Sequence, residues 1–285
     1  MALSVGGRSN QVLKAGDIVS ELKFHASSIP ELIRKRFIIP WTEIVPNNKE
    51  VLKIAIVTAV WKRPEVFEMF ARGIKELYKI NNLEIVTIVS GSEGAESRRM
   101  VEFNRFKYIE IPNDPLAAKV NATTYAAQFE NVDYVLCLGS DDVVSVDCMK
   151  YYIECMRIGY DFIGVTDFYF YDTDSQKSAY WGGYREANRK GNTCGAGRLI
   201  SARLMKLWDW MPWENKHSKI LDNSMQEKLK STPHSSHIFS LKEKGLFALD
   251  IKSSTNMTPF KLWDNTEYIN SDIILENFAH VKLSE

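Results

Sequence analysis

Asp133-Tyr134-Val135-Leu136-Cys137-Leu138-Gly139-Ser140-Asp141-Asp142 is an apolar run that stops at a glycine and two adjacent carboxylates. A short, continuous apolar run bounded by turn residues reads as a strand buried on both faces. Adjacent carboxylates repel, and an apolar strand end is a costly place for them unless a cation or backbone amides compensate. A hard divalent cation bound to phosphate oxygens is one such compensation. The other reading is a solvated turn, with Asp142 or Ser145 capping the helix that follows.

Outward from this stretch, strands alternate with helices. Lys53 to Val60 is a β-branched apolar run and reads as a buried strand. Arg63-Pro64-Glu65 opens a helix, with Val66, Phe67, Phe70, Ile74 and Leu77 as its apolar stripe. Leu83–Val89 is a second strand, ending at Ser90-Gly91-Ser92, and Lys107–Ile111 a short third one. Pro115 to Phe129 reads as a helix, Ser145 caps another through Ile158, and Asp161–Val165 is a strand. From 167 to 193 the chain is aromatic and polar, a loop region with room for a short hairpin. Residues 199–210 and Leu221–Leu229 return to helix, and Leu246–Ile251 to strand. Such alternation predicts an α/β fold, a mostly parallel central sheet with helices on both faces. Ligands bind at the carboxyl ends of the strands in such sheets. Val60-Trp61, Ser90-Gly91-Ser92 and Ser140-Asp141-Asp142 should therefore share one crevice.

Residues 1–50 read as an N-terminal extension, with a capping box at Ser28-Ile29-Pro30-Glu31 opening a helix through Phe37. Residues 51–285 read as one domain. The chain has 36 basic and 36 acidic residues, hence zero formal net charge, which disfavours a protein that coats nucleic acid. The cysteines (Cys137, Cys148, Cys155, Cys194) form no Cys-x-x-Cys pair and read as buried free thiols. No stretch approaches ~18 apolar residues, and the N-terminus lacks a signal-peptide core. The expectation is a cytoplasmic protein without a transmembrane segment. Association into a homo-oligomer stays open.

Several segments, in order, resemble the family-2-like GT-A glycosyltransferases over roughly residues 53–230. Trp61-Lys62-Arg63-Pro64-Glu65 is similar to their turn after the first strand, and Val89-Ser90-Gly91-Ser92 to the turn that holds the nucleoside. Leu116-Ala117-Ala118-Lys119-Val120-Asn121-Ala122 resembles a segment with a basic residue and Asn. Gly139-Ser140-Asp141-Asp142 stands at the Asp-x-Asp position, and Cys194 to Ser201 at the glycine-rich acceptor-side segment. Ile220-Leu221-Asp222-Asn223 falls where these enzymes carry Glu-Asp. Three departures stand out: Gly139 for the first Asp, Ser90 for an acidic residue, and Leu221 for Glu.

The resemblance implies a hexosyl- or pentosyltransferase that moves a sugar from a nucleotide-sugar donor, a UDP-sugar, to an acceptor hydroxyl. Residues 51–165 would be the nucleotide-binding half and 166–285 the acceptor-side half. Thr58, Val60, Arg63, Ser90, Ser92, Lys119, Asn121 and Ser140 would border the donor. Asp141 and Asp142 would ligate Mn2+ or Mg2+, with His217 and His280 as further candidates for a late ligand. Asp222 would be the general base of an inverting transfer, or the N-cap of its helix, or both. Gly195 and Gly197 would let backbone approach substrate, or simply make a turn. Trp181 and the tyrosines near it would form a sugar platform or core packing. Trp208, Trp210 and Trp213 read as core, and His234 and His237 as a polar loop. The acceptor could be a glycan, a lipid-linked sugar or a modified nucleic-acid base, the last as in a phage-type DNA-base glycosyltransferase.

A Rossmann dehydrogenase or methyltransferase needs a glycine-rich turn after the first strand, where this chain has Val60-Trp61-Lys62-Arg63-Pro64. A sugar nucleotidyltransferase also needs glycines there. The surviving rival is a non-catalytic nucleotide-sugar-binding protein on the same fold.

Overall fold

The computed structural model describes residues 3–5, 11–13, 44–187, 189–216, 218, 221–256, 260 and 265–281. The helix expected at 28–37, His217, Ile220 and the side chain of His280 lie outside the described residues. Two compact units divide the chain: 1–43 with 231–233, and 44–230 with 234–285. In the first, β1 (Leu3–Val5) pairs antiparallel with β2 (Gln11–Leu13).

The second unit starts with β3 (Leu52–Ala59), β4 (Leu83–Gly91), β5 (Lys107–Glu110), β6 (Tyr134–Cys137) and β7 (Asp142–Val144). It continues with β8 (Phe162–Val165), β9 (Phe168–Asp172), β10 (Lys177–Trp181), β11 (Arg198–Ser201), β12 (Ser236–Phe239), β13 (Ala248–Lys252) and β14 (Thr266–Ile269). One sheet has the order β12-β8-β11-β6-β3-β4-β5, and a second has β14-β10-β9-β13-β7. In the larger sheet every neighbouring pair is parallel except those made by β11.

The helices are α1 (Pro64–Leu77), α2 (Ala95–Phe103), α3 (Leu116–Ala127), α4 (Val146–Ile158), α5 (Ala202–Leu207), α6 (Leu221–Lys230), α7 (Leu241–Lys244) and α8 (Ser271–Asn277). Their placement follows from the strand pattern. Successive strand side chains point to opposite faces. Along β3, Ile54 and Ile56 join one apolar cluster, and Ala55 and Val57 the other. α1 and α4 supply Phe67, Phe70, Ile74 and Met149 to the first cluster. α3, α5 and α6 supply Ala117, Leu204, Met225 and Leu229 to the second. Helices thus cover both faces, and each large side chain buried there contributes about 1.5–3 kcal/mol. None of the described helices is long and apolar enough to cross a membrane. The four cysteines are buried free thiols.

Local signals set the helix ends. Pro64 occupies the first turn of α1, with Glu65 beside it and Lys75 in the last turn, which suits the helix dipole. Ser145 Oγ accepts from the Cys148 N–H at 3.2 Å, and Gly159 (φ +100°) ends α4. The helix expected over 199–210 is corrected. Arg198–Ser201 is a strand, because Leu199 and Ile200 zip between β6 and β8, and only Ala202–Leu207 is helical. His237 is likewise in strand β12, not a loop. The sequence pattern does not announce α2, β12, β14 or α8; α2, β14 and α8 are largely exposed and carry little apolar periodicity. The short hairpin expected in 167–193 is β9–β10.

Strand β3 lies between β4 and β6, so the chain leaves it toward one neighbour and later returns on the other side. That reversal opens a crevice beyond the carboxyl ends of β3 and β6.

Asp161 ties three elements together at the start of β8. Its carboxylate accepts from Ser201 Oγ (3.0 Å), Arg203 Nε (2.8 Å), and Ser235 N and Oγ (2.9 Å each). Burial works to raise its pKa, but the bonds from Arg203 and Ser235 outweigh it and lower the value. Asp161→Ala should cost about 2–4 kcal/mol in urea denaturation. A lowered carboxylate pKa stabilises above the unfolded-state value of ~4, and that stability fades as pH falls further. The variant should therefore approach wild type in strong acid.

Candidate active site

Beyond the ends of β3 and β6 lies a cleft of about 1540 Å³. Val60, Trp61, Lys62 and Arg63 line one side, and Gly139, Ser140, Asp141 and Asp142 another. Asp250 and Lys252 of β13, Phe168 and Phe170 of β9, and Trp181 and Tyr184 complete the wall.

The turn after β3 passes through Lys62 at φ +51°, and the Lys62 N–H donates to Glu93 Oε2 at 2.9 Å. Arg63, next in the chain, then points its guanidinium across the cleft. It donates from Nη1 to Asp141 Oδ2 at 2.6 Å and from Nη2 to Ser140 Oγ at 2.8 Å. Asn256 Nδ2 donates to the same Asp141 oxygen at 2.8 Å. Asp142 turns the other way, and its Oδ2 accepts the Gly139 N–H at 2.6 Å. A Cβ at Gly139 would lie 2.5 Å from Asp142 Oδ2 and 2.6 Å from Asp141 Oδ1. The two carboxylates fold over that glycine and occupy the space a side chain would need.

A third carboxylate joins them through strand register. Asp250 pairs with Asp142 across β13 and β7. Its Oδ2 is 2.6 Å from Lys252 Nζ, and its Oδ1 is buried without a hydrogen-bond partner. Burial, with the charges of Asp250 and Asp141, pushes the Asp142 pKa well above the usual carboxylate range. Burial raises Asp250 to about 6, with Lys252 opposing and Asp141 adding to it. Burial works to lower the Lys252 pKa; Asp250, Asp141 and Asp142 outweigh it and raise the value.

Lys119 also lines the cleft. Its Nζ donates to Val60 O (2.7 Å), Asn113 Oδ1 (2.8 Å) and Ser92 Oγ (3.1 Å). Burial lowers its pKa to about 8. The amine thus ties the ends of three chain segments together.

At the opposite wall, Gly195 lies directly under Asp222. A Cβ there would clash with Asp222 Oδ1. Asp222 sits in the first turn of α6, and its Oδ1 is 3.6 Å from Nη1 of the buried Arg198. Arg198 also donates to Thr193 Oγ1 and to the Thr193 carbonyl. Trp181 is half-buried and meets Tyr184 edge-on at 4.8 Å between centroids.

Not every expected residue reaches the cleft. Thr58 and Ser90 are buried beneath it, with Ser90 Oγ on the Thr58 carbonyl. Ser92 is outside the lining and reaches it only through Lys119. Asn121 Nδ2 bonds Trp213 O and Asn215 Oδ1, both at 2.7 Å, so it anchors the loop of buried tryptophans. Gly197 (φ +78°) makes the turn into β11, and its carbonyl accepts from Tyr152.

No protein-family model and no curated relative matches the sequence. Solved structures do. The crystal structure of S. aureus TarS 1-349 superposes with a TM-score of 0.53 at 11% identity, over 70% of this chain and 60% of that one. The same protein in complex with UDP gives 0.52 at 11%. Mannosyltransferase PcManGT from Pyrobaculum calidifontis, in complex with GDP-Man and Mn2+, gives 0.48 at 11%, over 81% of this chain and 66% of that one. This chain spans about 60% of the TarS chain it matches. The fold is GT-A-type.

On this GT-A-type scaffold, the expected Mn2+ or Mg2+ site can be tested against the donors present. Among the described residues, no group of three or more His, Cys, Asp or Glu side chains is arranged to hold a metal ion. Asp141 is committed to Arg63 and Asn256, and Asp142 to the Gly139 amide. With Asp141 Oδ2 and Asp142 Oδ2 taken up and Asp250 bound to Lys252, the described donors do not make an all-protein cage for a divalent cation. Asp250 and Lys252 line the cleft and are not among the site residues expected from the sequence. Their i, i+2 spacing in a strand, which puts both on one face, was the available signal. Asn256, in a polar turn, gave none.

A raised carboxylate pKa means that the folded protein binds the proton more tightly than the unfolded chain. The associated stability is present at low pH and is lost as pH rises through the folded-state value. Asp142→Asn should therefore melt above wild type at pH ~8, and the gap should shrink toward pH ~5. Calorimetric melting curves across that range check this.

Proposed function

We propose that this protein is a glycosyltransferase. It moves a sugar from a nucleoside-diphosphate donor, a UDP-sugar, to an acceptor hydroxyl. The observation that carries the reading is one cleft with two differently built walls, at the switch point of a GT-A-type sheet. The wall at Arg63, Lys119 and Lys252 sets three cations beside Asp141, Asp142 and Asp250, and a diphosphate can compete with those carboxylates for them. The wall at Asp222, Trp181 and Tyr184 offers a carboxylate and aromatic faces. The UDP complex of TarS, a protein with the same fold, supports a uridine donor.

In this reading the transfer is inverting. Asp222 takes the proton of the acceptor hydroxyl as its oxygen attacks the anomeric carbon. The bond from that carbon to the diphosphate breaks on the opposite face. Arg198 and the bare backbone of Gly195 fix the carboxylate in place. General-base catalysis of this kind contributes about 10²–10⁴-fold. No step is assigned to a metal ion. The acceptor would approach over Trp181, whose face suits the CH surface of a sugar. A glycan or lipid-linked sugar fits this wall better than a nucleic-acid base, given the zero net charge.

A thermal-shift screen of nucleoside diphosphates and nucleotide sugars tests the donor assignment. Saturating UDP should raise the melting temperature by about 5 °C, as expected for ligand at ~100 Kd. If no nucleotide shifts it, the reading fails.

Asp222→Asn should lower kcat by about 10²-fold or more while UDP binding stays at the wild-type level. Gly195→Ala should reproduce much of that loss, since its Cβ would displace the Asp222 carboxylate. Full turnover by Asp222→Asn would instead leave a transfer that needs no base at this position.

A further inference from the structure

We infer that Arg63 and Lys252 do here the electrostatic work a divalent cation would otherwise do, so that the diphosphate binds without metal. This rests on the donor-site reading above and deepens it.

Four observations carry the inference. Gly139 leaves the site one carboxylate short, and the space above it is filled by the carboxylates of Asp141 and Asp142. A longer residue at 139 would have to displace both. Second, Arg63 is bonded to Asp141 and Ser140, which places a fixed cation against the acidic turn itself. Third, Lys252 is buried, with its ammonium on Asp250, the direct cross-strand partner of Asp142. A dication added beside these carboxylates would meet two cations already there, and at short range in a poorly hydrated wall that repulsion is severe. Fourth, Asn256 Nδ2 donates to the same Asp141 oxygen as Arg63, so that oxygen is taken up twice by groups of the chain itself.

Arg63 and Lys252 both line the cleft, as does Asp250, whose Oδ1 has no hydrogen-bond partner. A diphosphate entering the cleft offers Arg63 a bidentate partner in place of its single bonds to Asp141 and Ser140, and guanidinium–phosphate pairs are among the stronger charge-assisted bonds. Arg63 can exchange Asp141 for phosphate, with Asn256 remaining on Asp141. Lys252 adds a point charge from the other side.

The test uses the full chain and isothermal titration with UDP, in EDTA and in millimolar Mn2+. Affinities in the two media should differ by less than about tenfold. In EDTA, Arg63→Gln should weaken UDP by about tenfold or more and uridine hardly at all. The same is expected of the double variant Lys252→Met with Asp250→Asn. That double change removes the buried pair as a unit, so the fold is not left with an unpaired charge. Electron paramagnetic resonance of Mn2+ with protein alone should retain the free-ion spectrum.

If Mn2+ tightens UDP tenfold or more, or if protein alone quenches the Mn2+ signal, the metal-free inference falls and the donor site stands. It falls in the same way if both variants bind UDP as wild type does. If UDP fails to bind in either medium, the donor-site reading falls and takes the inference with it.

Discussion

Charge balance at the end of β6 constrains everything around it. Three carboxylates, Asp141, Asp142 and Asp250, meet where β7 begins beside β13. Such a cluster is costly unless cations or amides meet it. The chain meets it with its own groups: Arg63 from the turn after β3, Lys252 from β13, Asn256 from the turn beyond, and the Gly139 amide. Each of these comes from a different segment. The acidic turn therefore fixes how the first strand's turn, the second sheet and the late loop meet, and the cleft is what remains between them.

That arrangement also divides the cleft's labour. The wall of paired charges belongs to the larger sheet's switch point and to β13, both held by regular hydrogen bonding. The acceptor wall belongs to the Gly195 turn and the first turn of α6, where Arg198 is buried beneath Asp222. A buried guanidinium needs a counter-charge, and Asp222, 38% exposed, is the carboxylate within ion-pair distance. The same residue thus satisfies the core on one side and faces the cleft on the other.

Much of the scaffold could be read from the chain. β3, β4, β6 and β8 are runs of Ile, Val, Leu and Phe whose length and boundaries leave little choice, and Pro64 and Ser145 mark their helices. The strand at Arg198–Ser201 was hidden because Leu199-Ile200 is too short to separate strand from helix by period; its pairing with β6 and β8 decides it. At the candidate site, Arg63, Lys119, Asp141, Asp142, Gly195 and Asp222, named from the resemblance, all line the cleft. What they bond to could not be read. Lys119 and Asn121 look alike as polar residues on one helix, yet one lines the cleft and the other anchors Trp213. Thr58 and Ser90 flank the right strand ends but sit a layer too deep. Asp250 and Lys252 acquire meaning only from the register that sets β13 beside β7.

A crystal structure of the protein grown with UDP in the presence of EDTA addresses the account at its centre. The expected result is a diphosphate in the cleft, with its oxygens on the Arg63 guanidinium and near the Lys252 ammonium. A diphosphate bound elsewhere, or a cleft in which Arg63 stays on Asp141 while phosphate goes unbound, would contradict it.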